Sequence, residues 1–190
     1  MLVHSLCVFC GSHEGYNPVC RETAIQLGSE IARRNIRLVY GAGDRGLMGI
    51  VAKAVKEHDG VVIGVTPQRF SHSNVDAFPI DEYIEVDSMA TRKKIMAEKA
   101  DAFVAMPGGI GTLEEISETF SQRQLGYHGK PVVLLNIGHF WDPFLLLMKR
   151  MLEDGFLSEK HYMELKVCFS VAELFAYLDA FVRVKGLWEP

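Results

Sequence analysis

The sequence predicts an α/β fold: a Rossmann-like, doubly wound parallel sheet between two layers of helices, a three-layer α/β/α arrangement. Three observations predict it. Short apolar runs alternate with amphipathic stretches throughout, the order that yields parallel strands joined by crossover helices. The strand-like runs are almost uniformly apolar, as expected of strands covered on both faces. Glycine-rich turns follow three of these runs, which gathers them at the C-terminal edge of the sheet, where ligands of such folds bind.

In chain order, the apolar run Ser5-Leu6-Cys7-Val8-Phe9-Cys10 gives a strand over 5–10, and the amphipathic stretch after it a helix over 18–34. A strand over 37–40 leads to a helix over 47–58, and a strand over 61–65 follows. The stretch 68–79 is the longest irregular one; it is polar, holds Ser71, His72, Ser73, Asn74 and Asp76, and reads as a mobile loop beside a site. A strand over 83–86 and a helix over 88–99 come next, then a strand over 102–106 and a helix over 112–125. A strand over 132–136, a helix over 143–153 and a last helix over 171–182 complete the pattern. No linker, repeat or low-complexity tract breaks the rhythm, so residues 1–190 read as a single nucleotide-binding domain of ordinary size.

Hydrophobic residues make up 48% and charged residues 23%, typical of a globular protein, and the formal net charge is −4. Duplex binding requires a clustered excess of Lys and Arg, which is absent, so nucleic acid is not an expected partner. No apolar run reaches the ~20 residues of a membrane span, and Met1-Leu2-Val3-His4-Ser5 lacks the basic start of a signal peptide; a cytoplasmic protein is expected. The cysteines are Cys7, Cys10, Cys20 and Cys168. The Cys7-x-x-Cys10 spacing suggests zinc or redox chemistry, but residues three apart on a strand face opposite ways, and no second pair stands at chelating spacing. Buried thiols are expected, with no metal.

The three glycine turns are Cys10-Gly11-Ser12, Gly41-Ala42-Gly43-Asp44-Arg45-Gly46 and Pro107-Gly108-Gly109-Ile110-Gly111-Thr112. Glycine lets a ligand approach the amides closely, and the unpaired N–H groups of a following helix favour phosphate. Gly41-x-Gly43-x-x-Gly46 fits the dinucleotide fingerprint, but the next strand ends Gly64-Val65-Thr66-Pro67 without the carboxylate that would hold a ribose, so NAD is disfavoured. In Thr112-Leu113-Glu114-Glu115 the spacing is that of a capping box, with Thr112 as N-cap and Glu115 reaching back to it. The other reading of Glu115 is a carboxylate aimed into the cleft. Met89-Ala90-Thr91-Arg92-Lys93 opens the preceding helix on the same edge, and two cations in a first turn oppose the helix dipole, a broken rule of the kind function imposes.

The segment 107–115 resembles the PGGxGTxxE signature of the LOG ("Lonely Guy") family, whose members are cytokinin riboside 5′-monophosphate phosphoribohydrolases once labelled lysine decarboxylases. Met89-x-x-Arg92-Lys93 is similar to the family's companion motif, at the family's spacing. Further similarity covers 8–12, 38–41, 46–49, 64–67 and 124–131, so the resemblance runs from about residue 5 to 180. It implies Arg92 and Glu115 as catalytic residues. It implies nucleotide binding by Lys93 and by Gly109, Ile110, Gly111 and Thr112, and also by Asn74 and Ser121. The glycine turns and their neighbours add Gly11, Ser12, Gly43, Met89, Pro107 and Gly108 to the expected site. Departures from the family pattern are Ala90, Ala42, Asn74 and Gln122.

The expected reaction is release of free base and ribose 5-phosphate from AMP or an N6-modified AMP, as in an AMP nucleosidase, with no cofactor. Phosphate would sit on the amides of residues 109–112, Arg92 would hold it and orient Glu115, and Glu115 would stabilise the cationic sugar while activating water. Glu114 is expected to be solvated. The competing reading is a non-catalytic nucleotide or molybdenum-cofactor carrier of the same fold. A pyridoxal-phosphate decarboxylase is a poor fit, because Lys93 and Lys130 have no recognisable pyridoxal setting. The resemblance also implies a homodimer with active sites bordering the interface.

Overall fold

The computed structural model describes residues 3–73, 79–182 and 186. Seven strands form one all-parallel sheet: β1 (Ser5–Phe9), β2 (Arg37–Tyr40), β3 (Val62–Pro67), β4 (Glu82–Val86), β5 (Ala102–Ala105), β6 (Val132–Leu135) and β7 (Leu165–Cys168). Their order is β4-β3-β2-β1-β5-β6-β7. The chain therefore builds outward from β1 to one edge, then returns to β1's other side and builds outward again. β1 and β5 flank the switch point, with Val8 opposite Val104, and the loops leaving them open the crevice in which doubly wound sheets bind ligands.

Two helical layers cover the sheet, and alternation along each strand assigns side chains to them. Leu6, Val8 and Cys10 pack with residues of α1 (Pro18–Arg33), α2 (Gly46–Lys56) and α7 (Val171–Ala180). Cys7 and Phe9 pack on the other face, with α3 (Met89–Lys99), α4 (Ile110–Gln124) and α5 (Asp142–Glu153). Cys7 and Cys10 thus lie in separate halves of the core, as their spacing on a strand requires, and all four thiols are free and buried. Among the described residues no helix is long and apolar enough to cross a membrane.

Three differences from the sequence reading have physical causes. β7 and the short helix α6 (Glu159–Tyr162) were not anticipated. β7 is only four residues long and sits at the sheet edge, with Lys166 exposed between buried Leu165 and Cys168, too short a run to show a period. The stretch after β3 is not wholly irregular: a 3-10 turn covers Gln68–Ser73. The helix expected to start at Thr112 starts at Ile110, with Gly109 as N-cap and no side-chain cap, so the capping box does not form.

Candidate active site

The turns leaving β1, β2 and β5 interlock. The Gly11 amide donates to Pro107 O at 3.1 Å, and Gly11 O accepts from Leu47 N at 3.0 Å, which satisfies the start of α2. Gly46 has φ +58° and packs on the Ser12 backbone so closely that a Cβ there would overlap it. Gly108 lies under Thr112, and a Cβ at 108 would overlap the threonine hydroxyl and approach Gly11 N to 2.9 Å. Thr112 is thereby explained: its side chain is buried over Gly108 rather than capping the helix. Ala42, where the family favours glycine, has φ +57°, a conformation costing an L-residue roughly 1–2 kcal/mol. Its buried Cβ fits only because the facing residue is Gly64.

Two clefts open on this edge and share Ser12 and His13 as a wall. One, of about 420 Å³, is lined by Gly11, Pro107, Gly108 and Gly109, with Tyr16 and Phe140 at its sides. The other, of about 470 Å³, is lined by Gly43, Met48, Thr66, Phe70, Met89 and Arg92. The first-turn amides of α4 belong to Ile110, Gly111 and Thr112, the positions a helix leaves without internal acceptors. A side chain at Gly109 or Gly111 would meet nothing within 4 Å, and neither has a positive φ. The fold itself does not require glycine at these two positions, whereas an anion seated on the amides would.

Glu115 is buried, and Arg92 Nη1 donates to its Oε1 at 3.0 Å. The guanidinium is fixed further by Nε donating to Val65 O at 3.1 Å and by Met89 Sδ at 3.9 Å from Nη1. Both partners are about nine-tenths buried as side chains, which makes this a desolvated pair rather than a surface one. Burial pushes the Glu115 carboxyl above the ordinary carboxylate range, against the pull of Arg92. The cap reading is therefore replaced: Glu115 turns inward to Arg92 and touches no helix-start amide.

The two clefts are lined by Gly11, Ser12, Gly43, Met89, Arg92, Pro107, Gly108 and Gly109; Ile110, Gly111 and Thr112 form the first turn of α4 beside Gly109, and Glu115 joins them through Arg92. It places two other expected residues elsewhere. Lys93 is tied to Glu114 and Glu118 and lines neither cleft; Glu114 is exposed, as expected, and pairs with Lys93 at the surface. Ser121 is exposed eleven residues along α4 from Ile110, about 16 Å down the axis. Asn74 lies outside the described residues. The sequence reading did not name Phe70, Met48, Tyr16 or Phe140 as site residues and took Gly41 only as a turn glycine; the first two directly follow strands or their turns on the ligand edge, and that position was the available signal.

A family model described as "Possible lysine decarboxylase" matches residues 48–178. The cytokinin riboside 5′-monophosphate phosphoribohydrolase LOG of Oryza sativa is 46% identical over 154 residues, covering 81% of this chain and 64% of that protein. LOG7 of Arabidopsis thaliana, of the same description, is 45% identical over 153 residues, covering 80% and 70% of the two chains. This chain belongs to the LOG family. A further LOG relative, the probable phosphoribohydrolase LOG6 of Arabidopsis thaliana, is 40% identical over 178 residues and matches 94% of this chain and 89% of its own. Among solved structures, the molybdenum cofactor binding protein of Rippkaea orientalis superposes with a TM-score of 0.72 at 23% identity, covering 95% and 98% of the chains, which marks a shared fold. The two lysines weighed for a decarboxylase in this LOG chain are both engaged: Lys130 Nζ donates to Ala97 O at 2.8 Å, Lys93 is salt-bridged, and neither lines either of the two clefts described.

Proposed function

We propose that this chain hydrolyses the N-glycosidic bond of purine or cytokinin nucleoside 5′-monophosphates, AMP and N6-modified AMP among them, giving free base and ribose 5-phosphate. The observation that carries the reading is the buried Arg92–Glu115 pair beside the first-turn amides of α4. The phosphate docks on the amides of Gly109 through Thr112, near the positive end of the helix dipole. As the C1′–N bond lengthens, its electron pair leaves with the base and positive charge develops on the sugar. Ionised Glu115 stabilises that charge and takes a proton from the water that attacks C1′. Arg92, its Nε and Nη1 engaged within the protein, orients the carboxylate and keeps it charged despite burial. The names of the relatives support the same chemistry.

The base takes the cleft lined by Met48, Met89 and Phe70, whose soft apolar side chains accommodate a purine and an N6 substituent. The substrate is a free nucleotide rather than a nucleic acid, and nucleoside monophosphates place the enzyme in the cytoplasm. The chain acts as one nucleotide-binding domain over residues 1–190, and two copies form a homodimer. Ile110 and Leu125 fall within about 40° of Ser121 on the outer face of α4, with Ile110 81% and Leu125 58% exposed. An interface along that face lets Ser121 serve the neighbouring protomer's site, which its distance from its own first turn otherwise prevents. Sedimentation equilibrium is expected to give twice the chain mass; a monomer at micromolar concentration removes the dimer.

The decisive experiment incubates the protein with a panel of nucleoside 5′-monophosphates and scores freed base. Glu115→Gln is expected to fold normally and to lose about 1,000-fold or more in turnover, because the base is gone while its shape remains. Tight binding of AMP without release of adenine would instead make the chain a nucleotide carrier.

A further inference from the structure

We propose that Gly41 is a positioning residue for the Arg92–Glu115 pair: the missing side chain at the end of β2 lets the Arg92 guanidinium lie across the strand end and reach Glu115. This inference deepens the hydrolase reading and, for its effect on turnover, rests on it.

A Cβ built on Gly41 would overlap Arg92 Nη2 and stand 2.8 Å from Cζ and 3.3 Å from Nε. All three nearest heavy atoms belong to that one guanidinium. The backbone does not demand glycine here, because Gly41 has no positive φ. The next residue does adopt the left-handed conformation, and it is Ala42. The turn therefore carries alanine where the backbone favours glycine and glycine where the backbone tolerates any residue. What accounts for position 41 is the guanidinium above it. Arg92 has little room to yield: it is buried, and Val65 O and Glu115 hold it from two sides. Gly43 provides the contrast, since a Cβ there would press on Met48 Cε and Sδ, the mobile end of a thioether.

A methyl at position 41 displaces the guanidinium and leaves Glu115 buried without its cation. The charged and titratable groups facing Glu115 are Arg92 and Lys93 of α3, Glu114 of its own helix, and Cys7 and Cys10 of β1. Of these, Arg92 exerts the strongest downward pull on the carboxyl, so withdrawing it raises the pH at which Glu115 ionises. The acid limb of the pH–kcat profile then moves upward.

The test is a cycle of Gly41→Ala, Arg92→Ala and the double variant, each measured by thermal melting and by kcat, KM and pH profile with AMP. Gly41→Ala alone is expected to lower kcat about 100-fold, the cost of a misplaced catalytic group. Its acid limb should move up by about one pH unit or more, as expected when an arginine leaves a carboxylate. Its Tm is expected to fall by about 3 °C or more. In the Arg92→Ala background the same substitution should change kcat less than about 2-fold and Tm by less than about 1 °C, because the clash has no partner. If Gly41→Ala fails to fold, the double variant is expected to fold. Equal effects of Gly41→Ala in both backgrounds, an unmoved acid limb, or a double variant that also fails to fold would overturn the proposal. If the wild-type protein releases no base, the hydrolase reading fails by itself, and the melting cycle still decides whether positions 41 and 92 are coupled.

Discussion

The two ends of the sheet use carboxylates in opposite ways. At the N-terminal edge Asp101 accepts from His4 N at 2.9 Å and from Ser5 N and Ser5 Oγ, each at 3.0 Å, tying β1 to β5. Asp81 accepts from Val62 N and Lys56 Nζ, each at 2.8 Å. Its partial burial pushes the carboxyl upward, but Lys56 and the Val62 amide outweigh that and hold it below its ordinary value. At the C-terminal edge Glu115 is more deeply buried, has the single cation Arg92 as hydrogen-bond donor, and is pushed upward. Donors surround the lower carboxylates and make them structural. At the upper edge no α4 cap bond reaches a side chain, and Glu115 keeps the guanidinium of Arg92 as its donor. The difference teaches that a carboxylate's work follows from who donates to it, not from its residue type.

That comparison breaks most sharply at adjacent glycines. Gly108→Ala forces a methyl into Thr112 and the Gly11 amide and is expected to cost about 3 kcal/mol, read as a lower denaturant midpoint together with lost activity. Gly109→Ala, one residue on, meets empty space and should cost no more than the ~1 kcal/mol of a poorer N-cap while raising KM for a nucleoside monophosphate roughly 10-fold, about 1.4 kcal/mol of binding. A stability loss at 109 as large as that at 108 would show that its openness serves the fold and not an anion. Asp101→Ala tests the opposite edge: it should cost about 2 kcal/mol of stability, since three donors lose a charged acceptor, while kcat at 25 °C stays within about 2-fold of wild type. A fall in kcat comparable to that of Glu115→Gln would erase the division of labour between the edges.

The sheet was legible because parallel, doubly covered strands leave an unmistakable apolar signature, and its five interior strands announce themselves that way. β4, at one edge, still showed through the run Tyr83–Val86, whereas β7, at the other edge, stayed hidden because exposed Lys166 interrupts its four residues. Arg92 and Glu115, whose side chains the structure joins, were legible as a candidate pair from the Pro107–Glu115 signature and the Arg92 motif. What those residues do locally was not. Thr112 and Glu115 have the spacing of a capping box, and only the start of α4 at Ile110 turns both inward. Lys93 reads as a free cation until Glu114 and Glu118, on another helix, are seen to take it. Gly41 was visible as a turn glycine, but the guanidinium above it comes from a residue 51 positions later, arithmetic that no local pattern carries (92 − 41).

Gly11 bonds to Pro107 on one side and to Leu47 on the other, and Gly46 leans on Ser12. Three loops are thereby welded into a single collar around the crevice. A phosphate seated there, as proposed, would find these loops already ordered and lose little conformational entropy on binding. The collar cannot tighten on a poorly shaped ligand, and discrimination among nucleotides falls to the apolar cleft beyond it.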